Sequence, residues 1–98
     1  PGGKIHRMEY LQKPAAYVIS GDAGAYLYKG STRDLATRWA QHASGRVART
    51  RARHPLKLVY VEYFDNYTDA RKREIFFKTG VGRSFLKARV AKWQTQGT

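Results

Sequence analysis

The chain of 98 residues contains no cysteine, no long apolar run and few acidic side chains. Without cysteine it can form neither disulfides nor a thiolate metal site, and the absence is compatible with a reducing, cytoplasmic setting. No apolar run approaches the ~20 residues needed to span a bilayer, so we expect no contact with a membrane. Internal repeats and low-complexity segments are also missing, and the length favours a single domain.

Basic residues greatly outnumber the acidic ones. Nineteen Lys and Arg against seven Asp and Glu give a formal net charge of +12 at pH 7. Such a surface favours a polyanionic partner, most often nucleic acid, although a basic protein without that function is the simpler alternative. The hydrophobic content of 42% includes seven Tyr, four Phe and two Trp, which indicates a folded rather than a disordered chain.

Hydrophobic periodicity predicts one domain over residues 15–93 with the element order β-β-α-β-α-α. Residues 1–14 lack periodicity and are interpreted as an N-terminal extension, of which residues 1–7 resemble an expression remnant. Residues 94–98 are interpreted as a polar tail, and a break between the last two helices is expected at Gly80-Val81-Gly82. The order is typical of an α+β fold, here a small three-stranded antiparallel sheet flanked by three helices.

One stretch, YKGSTRDLATRWAQH at residues 28–42, organises the rest of the chain. It is predicted to begin as a strand, to turn at Gly30 and to continue as a helix capped by Ser31 or Thr32. The helix presents five residues at the spacing of a core-facing stripe: Leu35, Arg38, Trp39, His42 and Ala43. An arginine and a histidine on such a face need either polar partners or a functional site.

The first two strands are predicted to form a hairpin that brings two tyrosines together. If Ser20 pairs with Ala25 around the turn, Tyr17 lies directly opposite Tyr28 on the same face of the sheet. The simpler interpretation is an aromatic cross-strand pair that contributes ~0.2 to 1 kcal/mol. The alternative is a pair of phenols placed for chemistry.

The segment after the first helix, GRVARTRARHP at residues 45–55, is too basic to be buried. It is either an ordinary solvated loop or a phosphate-binding arm, because arginine suits bidentate contacts with phosphate. We favour the second interpretation and call this segment the arginine arm. Together with one residue of the next strand, it supplies five candidates for nucleic-acid binding: Arg46, Arg49, Arg51, Arg53 and Lys57.

A carboxylate on the second long helix is a further candidate. Glu74 shares its helical face with Ala70 and Phe77, at spacings of four and three residues. It forms either a surface pair with Lys78, worth ~0.3 to 0.5 kcal/mol, or a carboxylate that points into a cleft.

Taken in order, these residues resemble the GIY-YIG nuclease family, in particular its short single-domain bacterial members. The resemblance covers about residues 15–90. Residues 15–17 (AAY) and 28–30 (YKG) correspond to the two signatures, and STRDLATRWAQH resembles the family's helix. DARKRE is similar to the segment that ends in the family's metal-binding glutamate, here Glu74, and KTGVGRSFLK resembles the tail of the short members. The departures, Ala15, Ala16 and Lys29, remove no functional group.

The resemblance implies metal-dependent hydrolysis of a phosphodiester, with DNA as the expected partner. Glu74 would hold one Mg²⁺ or Mn²⁺, and Arg38 would stabilise the charge of the transition state. Tyr17 would act as the base, supported by Tyr28, while His42 either contacts phosphate, positions a tyrosine or is satisfied in the core. Two alternatives stay open, which are a binding module without activity and a nuclease that acts on RNA. No small-molecule cofactor is expected.

Overall fold

The computed structural model describes residues 10–96, and the side chains of residues 10–90; the suggested expression remnant lies outside these residues. The α+β prediction is confirmed. Three strands form one antiparallel sheet in the spatial order β2-β1-β3: β1 (Ala15–Gly21), β2 (Tyr26–Thr32) and β3 (Lys57–Tyr63). Four helices accompany them, one more than predicted: α1 (Leu35–Ala43), α2 (Ala48–Arg51), α3 (Tyr67–Phe77) and α4 (Gly80–Gln96). The additional short helix, α2, lies within the arginine arm.

The central strand β1 sends alternate side chains into two separate cores. The first, on what we call the Phe77 face, consists of Ala16, Val18, Val59, Phe77, Leu86 and Val90. The second, on what we call the Tyr17 face, consists of Ala15, Tyr17, Ile19, Leu35 and Leu58. Helices α3 and α4 therefore cover one face of the sheet, and α1 covers the other.

The hairpin register differs from the predicted one by two residues. Tyr17 pairs with Gly30 and Tyr28 pairs with Ile19, because the 3₁₀ turn Asp22–Gly24 moves the connection one residue along the chain. The prediction that the two tyrosines lie directly opposite each other is therefore wrong. Their shared face is confirmed, since side chains alternate with period two and a shift of two residues preserves the face.

Gly30 lies within β2 and does not form the predicted turn. A Cβ atom added there would lie 2.6 Å from the hydroxyl oxygen of Tyr17 and 3.0 Å from Cε2 of Tyr28. Any side chain at this position would therefore displace one of the two tyrosines. The glycine is required for clearance beneath these rings, not for a change in chain direction.

Helix α1 begins later than predicted. Its N-cap is Asp34, whose carboxylate accepts a 3.1 Å hydrogen bond from the N–H of Thr37, so the predicted caps Ser31 and Thr32 are wrong. The N–H groups of the first two helical residues donate to carbonyls of residues 11 and 13. Part of the predicted N-terminal extension therefore packs against the domain, and its carbonyls satisfy free N–H groups at the N-terminus of this helix.

The break predicted at Gly80–Gly82 is also wrong, because α4 begins at Gly80 and runs to Gln96. The hydroxyl of Thr79 accepts a 2.9 Å hydrogen bond from the N–H of Gly82 and caps the new helix. A Cβ atom at Gly82 would collide with the backbone carbonyl of Phe76, so the glycine permits the close approach of α3 and α4. Along residues 10–96, no helix has the length and apolar character needed to cross a membrane.

Candidate active site

A cleft of about 630 Å³ opens at the edge of β2, which is an outer strand of the sheet. Tyr28 enters it from β2, on the Tyr17 face, and Arg38 enters from α1. Glu74 reaches it from α3, which packs on the Phe77 face. The cleft thus wraps around the strand edge and brings together three residues that are far apart in the sequence.

Tyr17 and His42 lie one layer deeper than these three residues. Their side chains are 1% and 0% exposed, and neither lines the cleft. The ring of Tyr28, which lines the cleft, lies beside both, with centroid distances of 6.2 Å to Tyr17 and 5.2 Å to His42. Of the five predicted catalytic residues, three therefore line the cleft and two support it from behind.

A chain of hydrogen bonds crosses the core of the Tyr17 face. The hydroxyl oxygen of Tyr17 lies 3.0 Å from Nε2 of His42, and Nδ1 of His42 lies 2.8 Å from Oγ1 of Thr50. Thr50 is completely buried and belongs to α2, between Arg49 and Arg51. His42 is therefore a satisfied core histidine, as the simpler interpretation held, but one of its partners is a candidate catalytic tyrosine.

Burial changes the protonation of both rings. Burial, followed by the positive charge of Arg38, lowers the pKa of His42 from 6.5 to about 4. The imidazole is therefore neutral at pH 7, and one of its two nitrogens carries the proton. Burial, followed by the neighbouring Tyr28, raises the pKa of Tyr17 far above its ordinary value, although Arg38 opposes the rise. In the free protein Tyr17 is accordingly a neutral phenol.

Glu74 is largely buried, and both of its carboxylate oxygens have partners. Oε1 accepts a 2.5 Å hydrogen bond from the hydroxyl of Ser31 and lies 3.2 Å from the guanidinium of Arg71, while Oε2 lies 2.7 Å from Nζ of Lys78. Burial favours a higher pKa for this carboxyl, but Lys78, Ser31 and Arg71 outweigh it and the pKa is lowered. Both interpretations of Glu74 hold together, since it pairs with Lys78 and also faces the cleft.

A divalent cation fits this site through a single carboxylate. Within the part of the chain that the structure describes, no three His, Asp or Glu side chains gather into a metal site. Mg²⁺ is commonly held by one or two carboxylates, with water and phosphate oxygens as its other ligands, so one ionised carboxylate in an open cleft suits it. Lys78 and Arg71 are half exposed, at 52% and 49%, and can rotate away from the carboxylate.

Arg38 connects the cleft with the buried pair of rings. Its Nη1 donates a 2.9 Å hydrogen bond to Oε1 of Gln41, which restrains the guanidinium along α1. The same positive charge lines the cleft and shifts the pKa values of Tyr17 and His42. A change in the charge of the cleft, such as the arrival of a phosphate, therefore acts on both buried groups.

The candidates for nucleic-acid binding are divided between several places. Arg49 lines the cleft, and Arg46 and Arg51 are exposed nearby on the arginine arm. Lys57 is exposed at the start of β3, where it borders a separate groove beside Pro55. Arg49 is therefore the only one of these four side chains that lines the cleft.

Arg53 is engaged within the protein. Its guanidinium lies 2.8 Å from the carboxylate of Asp22 and 4.4 Å above the ring of Tyr26. Its carbonyl accepts a 2.9 Å hydrogen bond from the N–H of Asp22. These contacts attach the end of the arginine arm to the hairpin, so Arg53 positions the arm and its guanidinium is already paired.

Sequence patterns do not single out three polar residues that the structure places at the site. Alternation along β2 could have placed Ser31 on the side of α3, had the strand been predicted to extend beyond Gly30. Arg71 lies three residues before Glu74, a spacing that allows an ion pair on a helix. Thr50 has no such signal, because nothing in a run of arginines indicates which residue turns inward.

Comparisons with known proteins find one matching family and several similar bacterial proteins. The family described as the GIY-YIG catalytic domain matches residues 13–85. The chain is 37% identical over 78 residues to a UPF0213 protein of Staphylococcus saprophyticus, covering 79% of this chain and 94% of the relative. It is 41% identical over 86 residues to a UPF0213 protein of Streptococcus pyogenes serotype M5, covering 87% and 92%. It is 45% identical over 53 residues to a UPF0213 protein of Clostridium perfringens, a match that covers 53% of this chain and 57% of the relative. No solved structure matches the chain.

Proposed function

This chain belongs to the GIY-YIG family, and from that premise we propose that it is an endonuclease that hydrolyses DNA phosphodiester bonds with a divalent cation. The observation that carries the proposal is the convergence of Tyr28, Arg38 and Glu74 in one cleft at the edge of β2. A phenol, a guanidinium and a carboxylate are the groups that a single-cation phosphodiesterase needs. Arg49 adds a positive charge to the same wall, which favours a phosphate ligand.

In this proposal Glu74 holds the cation and Arg38 binds the phosphate. When bound, the cation neutralises charge on the phosphate and on the leaving oxygen. For Glu74 to hold the cation, Lys78 would have to release Oε2, while Ser31 would keep the carboxylate oriented through Oε1. Arg38 stabilises the negative charge that develops on the phosphate oxygens as water attacks phosphorus.

We assign the base role to Tyr17 and the supporting role to Tyr28, under a condition set by burial. Tyr28 lines the cleft, and in this proposal its hydroxyl orients the attacking water. Tyr17 is buried and holds its proton, so it can accept one only after losing its own. The charge of Arg38 and that of a cation at Glu74 both favour the phenolate. Nε2 of His42 lies 3.0 Å from the phenol oxygen and so helps to orient this phenol.

A second candidate function is binding of nucleic acid without cleavage. It is favoured by the paired oxygens of Glu74 and the burial of Tyr17, which leave a cleft lined by five cations: Lys29, Arg38, Arg49, Arg71 and Lys78. Such a surface binds phosphates without any chemistry.

A nuclease acting on RNA is equally compatible with these residues, because phosphate contacts do not distinguish the two polymers. Since bacterial DNA lies in the cytoplasm, the proposal also places the protein there.

The experiment that tests the proposal uses covalently closed circular DNA together with labelled single- and double-stranded DNA and RNA. Each substrate is incubated with Mg²⁺ or Mn²⁺, and again with EDTA. Conversion of the circle to open and linear forms, abolished by EDTA, supports a metal-dependent endonuclease. Cleavage of RNA alone selects the RNA nuclease, and retention of the label on the protein without cutting selects the binding module.

The variant Glu74→Gln tests whether cleavage depends on the carboxylate in the cleft. It is nearly isosteric, so we expect the fold and the binding of DNA to persist while cleavage falls by orders of magnitude. Lys72→Gln is the matched control, because Lys72 is an exposed residue of α3 that does not line the cleft. A folded Glu74→Gln variant that cuts as fast as the Lys72→Gln control would remove the metal role from Glu74.

A further inference from the structure

A second groove, of about 400 Å³, lies beside the cleft on the Phe77 face, between β2 and the first turns of α4. We call it the α4 groove. Its lining combines two apolar side chains with three cations and a hydroxyl: Leu27, Leu86, Lys29, Arg83, Lys87 and Ser84. Leu86 is almost completely buried, whereas Arg83 and Lys87 are exposed, so the groove has an apolar floor and a cationic rim. The proposed catalytic roles use none of these residues.

The α4 groove and the cleft share a wall. Leu27 and Lys29, two residues apart on β2, line both hollows. Lys29 pairs with Val18 of β1, which belongs to the core of the Phe77 face, so the side chain of Lys29 leaves the strand on that face. Because β2 is an outer strand, this lysine lies at an open edge of the sheet, with one hollow on either side. A ligand that extends out of the cleft past Lys29 therefore enters the α4 groove.

The cations of the α4 groove have no carboxylate beside them among residues 10–90, whose side chains the structure describes. None of the four ion pairs found there includes Lys29, Arg83 or Lys87. Burial, followed by the positive charges of Arg83 and Lys78, lowers the pKa of Lys29. Nη1 of Arg83 donates a 2.8 Å hydrogen bond to the carbonyl of Lys78, which holds the guanidinium in place and leaves it further N–H groups for a ligand. Like charges held together without an anion favour the binding of one.

We propose that the α4 groove is a second phosphate-binding site, which takes the nucleic-acid backbone on one side of the phosphate in the cleft, and that Lys29 joins the two sites. This inference rests on the proposed function, because it requires that the cleft binds nucleic acid. The ligand is a phosphodiester chain rather than a free anion, since one chain can occupy both hollows at once. The apolar floor then covers sugar carbons while the cations of the rim neutralise phosphates.

The two hollows together define a path for the substrate across the edge of the sheet. Arg49 approaches the cleft from α2, which packs on the Tyr17 face through Thr50 and His42. Lys29 lies at the edge itself, and Lys87 lies beyond it, on the Phe77 face. The bound strand therefore passes from α2 over the edge of β2 to α4. Both faces of the sheet then contribute charge to binding, although the proposed catalytic groups meet only in the cleft.

Lysine acylation followed by mass spectrometry tests the proposal, because a bound polyanion shields the amino groups that it contacts. The parent protein is labelled sparsely in EDTA, alone and with duplex DNA, single-stranded DNA, RNA or inorganic phosphate. We expect at least one of the polymers to slow the labelling of Lys29 and Lys87 several-fold, as it slows that of Lys78 in the cleft. Lys72, an exposed residue of α3 outside both hollows, should react unchanged. Protection of Lys78 without Lys87, or equal protection by inorganic phosphate alone, would overturn the proposal.

The salt dependence of binding supplies a second test with a charge-preserving control. In EDTA, Lys87→Gln should reduce the slope of log K against log salt by ~0.9 on duplex DNA, or by ~0.7 on a single strand, and Lys87→Arg should restore it. Lys72→Gln removes one charge outside both hollows, and a Lys87→Gln slope equal to that of this control would overturn the proposal. Neither test needs cleavage. If the parent protein binds but cuts no nucleic acid, the nuclease proposal fails and the α4 groove stands; if it cuts while Lys87 stays unprotected, the groove alone fails.

Discussion

The two faces of the sheet are filled with different chemistry, although one strand supplies both. On the Phe77 face the core is apolar, and the rings of Phe77 and Phe85 stack at 6.4 Å with an interplanar angle of 10°. On the Tyr17 face the core contains three polar side chains joined by hydrogen bonds: Tyr17, His42 and Thr50. The first arrangement is typical of a face that stabilises the fold, and the second of one that positions reactive groups.

The charged side chains also lie in different places on the two faces. On the Phe77 face charge stays at the rim except at Glu74, which is buried and reaches the cleft from α3. At that rim Arg73 pairs with Glu62 at 2.7 Å and lies 4.6 Å above the ring of Phe76. On the Tyr17 face Arg38 reaches a cleft and alters the protonation of buried rings. We therefore expect substitutions in the apolar core of the Phe77 face to act on folding, and those in the cleft or in the hydrogen-bonded core of the Tyr17 face to act mainly on cleavage.

The largest expected effect is that of Tyr17→Phe on cleavage. The variant loses the proposed base, and the rate should fall by about 10²- to 10⁴-fold. The unpartnered Nε2 of His42 should lower the free energy of unfolding by only ~1 to 3 kcal/mol. Single-turnover cleavage and urea unfolding measure the two quantities, with Tyr67→Phe, outside the cleft, as the control. If the Tyr17→Phe variant cuts at the rate of this control, Tyr17 is not the base, and the hydrogen-bonded core of the Tyr17 face has only a structural role.

Phe77→Ala should show the opposite behaviour on the other face. The side chain is completely buried, so its truncation should lower the free energy of unfolding by ~3 to 5 kcal/mol. Cleavage per folded molecule should stay near the parent value, because Phe77 does not line the cleft. Urea unfolding and cleavage at low temperature test this pair of outcomes. A loss of cleavage much greater than the loss of folded protein would contradict the division between the faces.

The pH dependence of stability should come partly from His42. Its pKa falls from 6.5 in the unfolded chain to about 4 in the fold, so the buried neutral ring contributes stability above pH 6.5. That contribution, on the order of 3 kcal/mol, should be lost as the pH falls from about 6.5 through 4. Urea unfolding of the parent and of His42→Gln at pH 7 and pH 4 gives the difference, in which carboxylate titrations cancel. A difference that is the same at both pH values would contradict the buried, neutral state of His42.

The smallest expected effect concerns α2, which covers the Tyr17 face. The double variant Arg49→Gln/Arg51→Gln should reduce the slope of log K against log salt for duplex binding by ~0.9 for each phosphate that is no longer neutralised. Lys72→Gln is the control for a change in net charge alone. An unchanged slope would show that these two arginines of the arginine arm do not contact phosphate and would favour the interpretation as a solvated loop. Arg53→Gln should leave the slope unaltered, because that guanidinium is paired with Asp22.

Much of the fold follows from short-range patterns. Alternation along the strands predicts the shared face of Tyr17 and Tyr28, and this survives a register error of two residues. The order of the elements and the cap of α3 at Asn66 are likewise local, since a side chain and the N–H groups beside it form the cap. The start of α4 is less predictable, because glycine disfavours a helix by propensity and the role of Gly82, which is to let α3 approach closely, is a tertiary contact.

By itself, the sequence determined the α+β class, the resemblance to GIY-YIG nucleases and the faces on which the candidate side chains lie, because alternation and helical spacing depend on neighbours in the chain. Tertiary structure alone decided which partners those side chains have. Ser31 meets Glu74 across 43 residues, and His42 meets Thr50 only after the chain reverses. Such contacts depend on ångström distances between packed elements, which no local pattern encodes. For the same reason one arginine of a uniform basic run, Arg53, is paired within the fold, while its neighbour Arg51 is exposed.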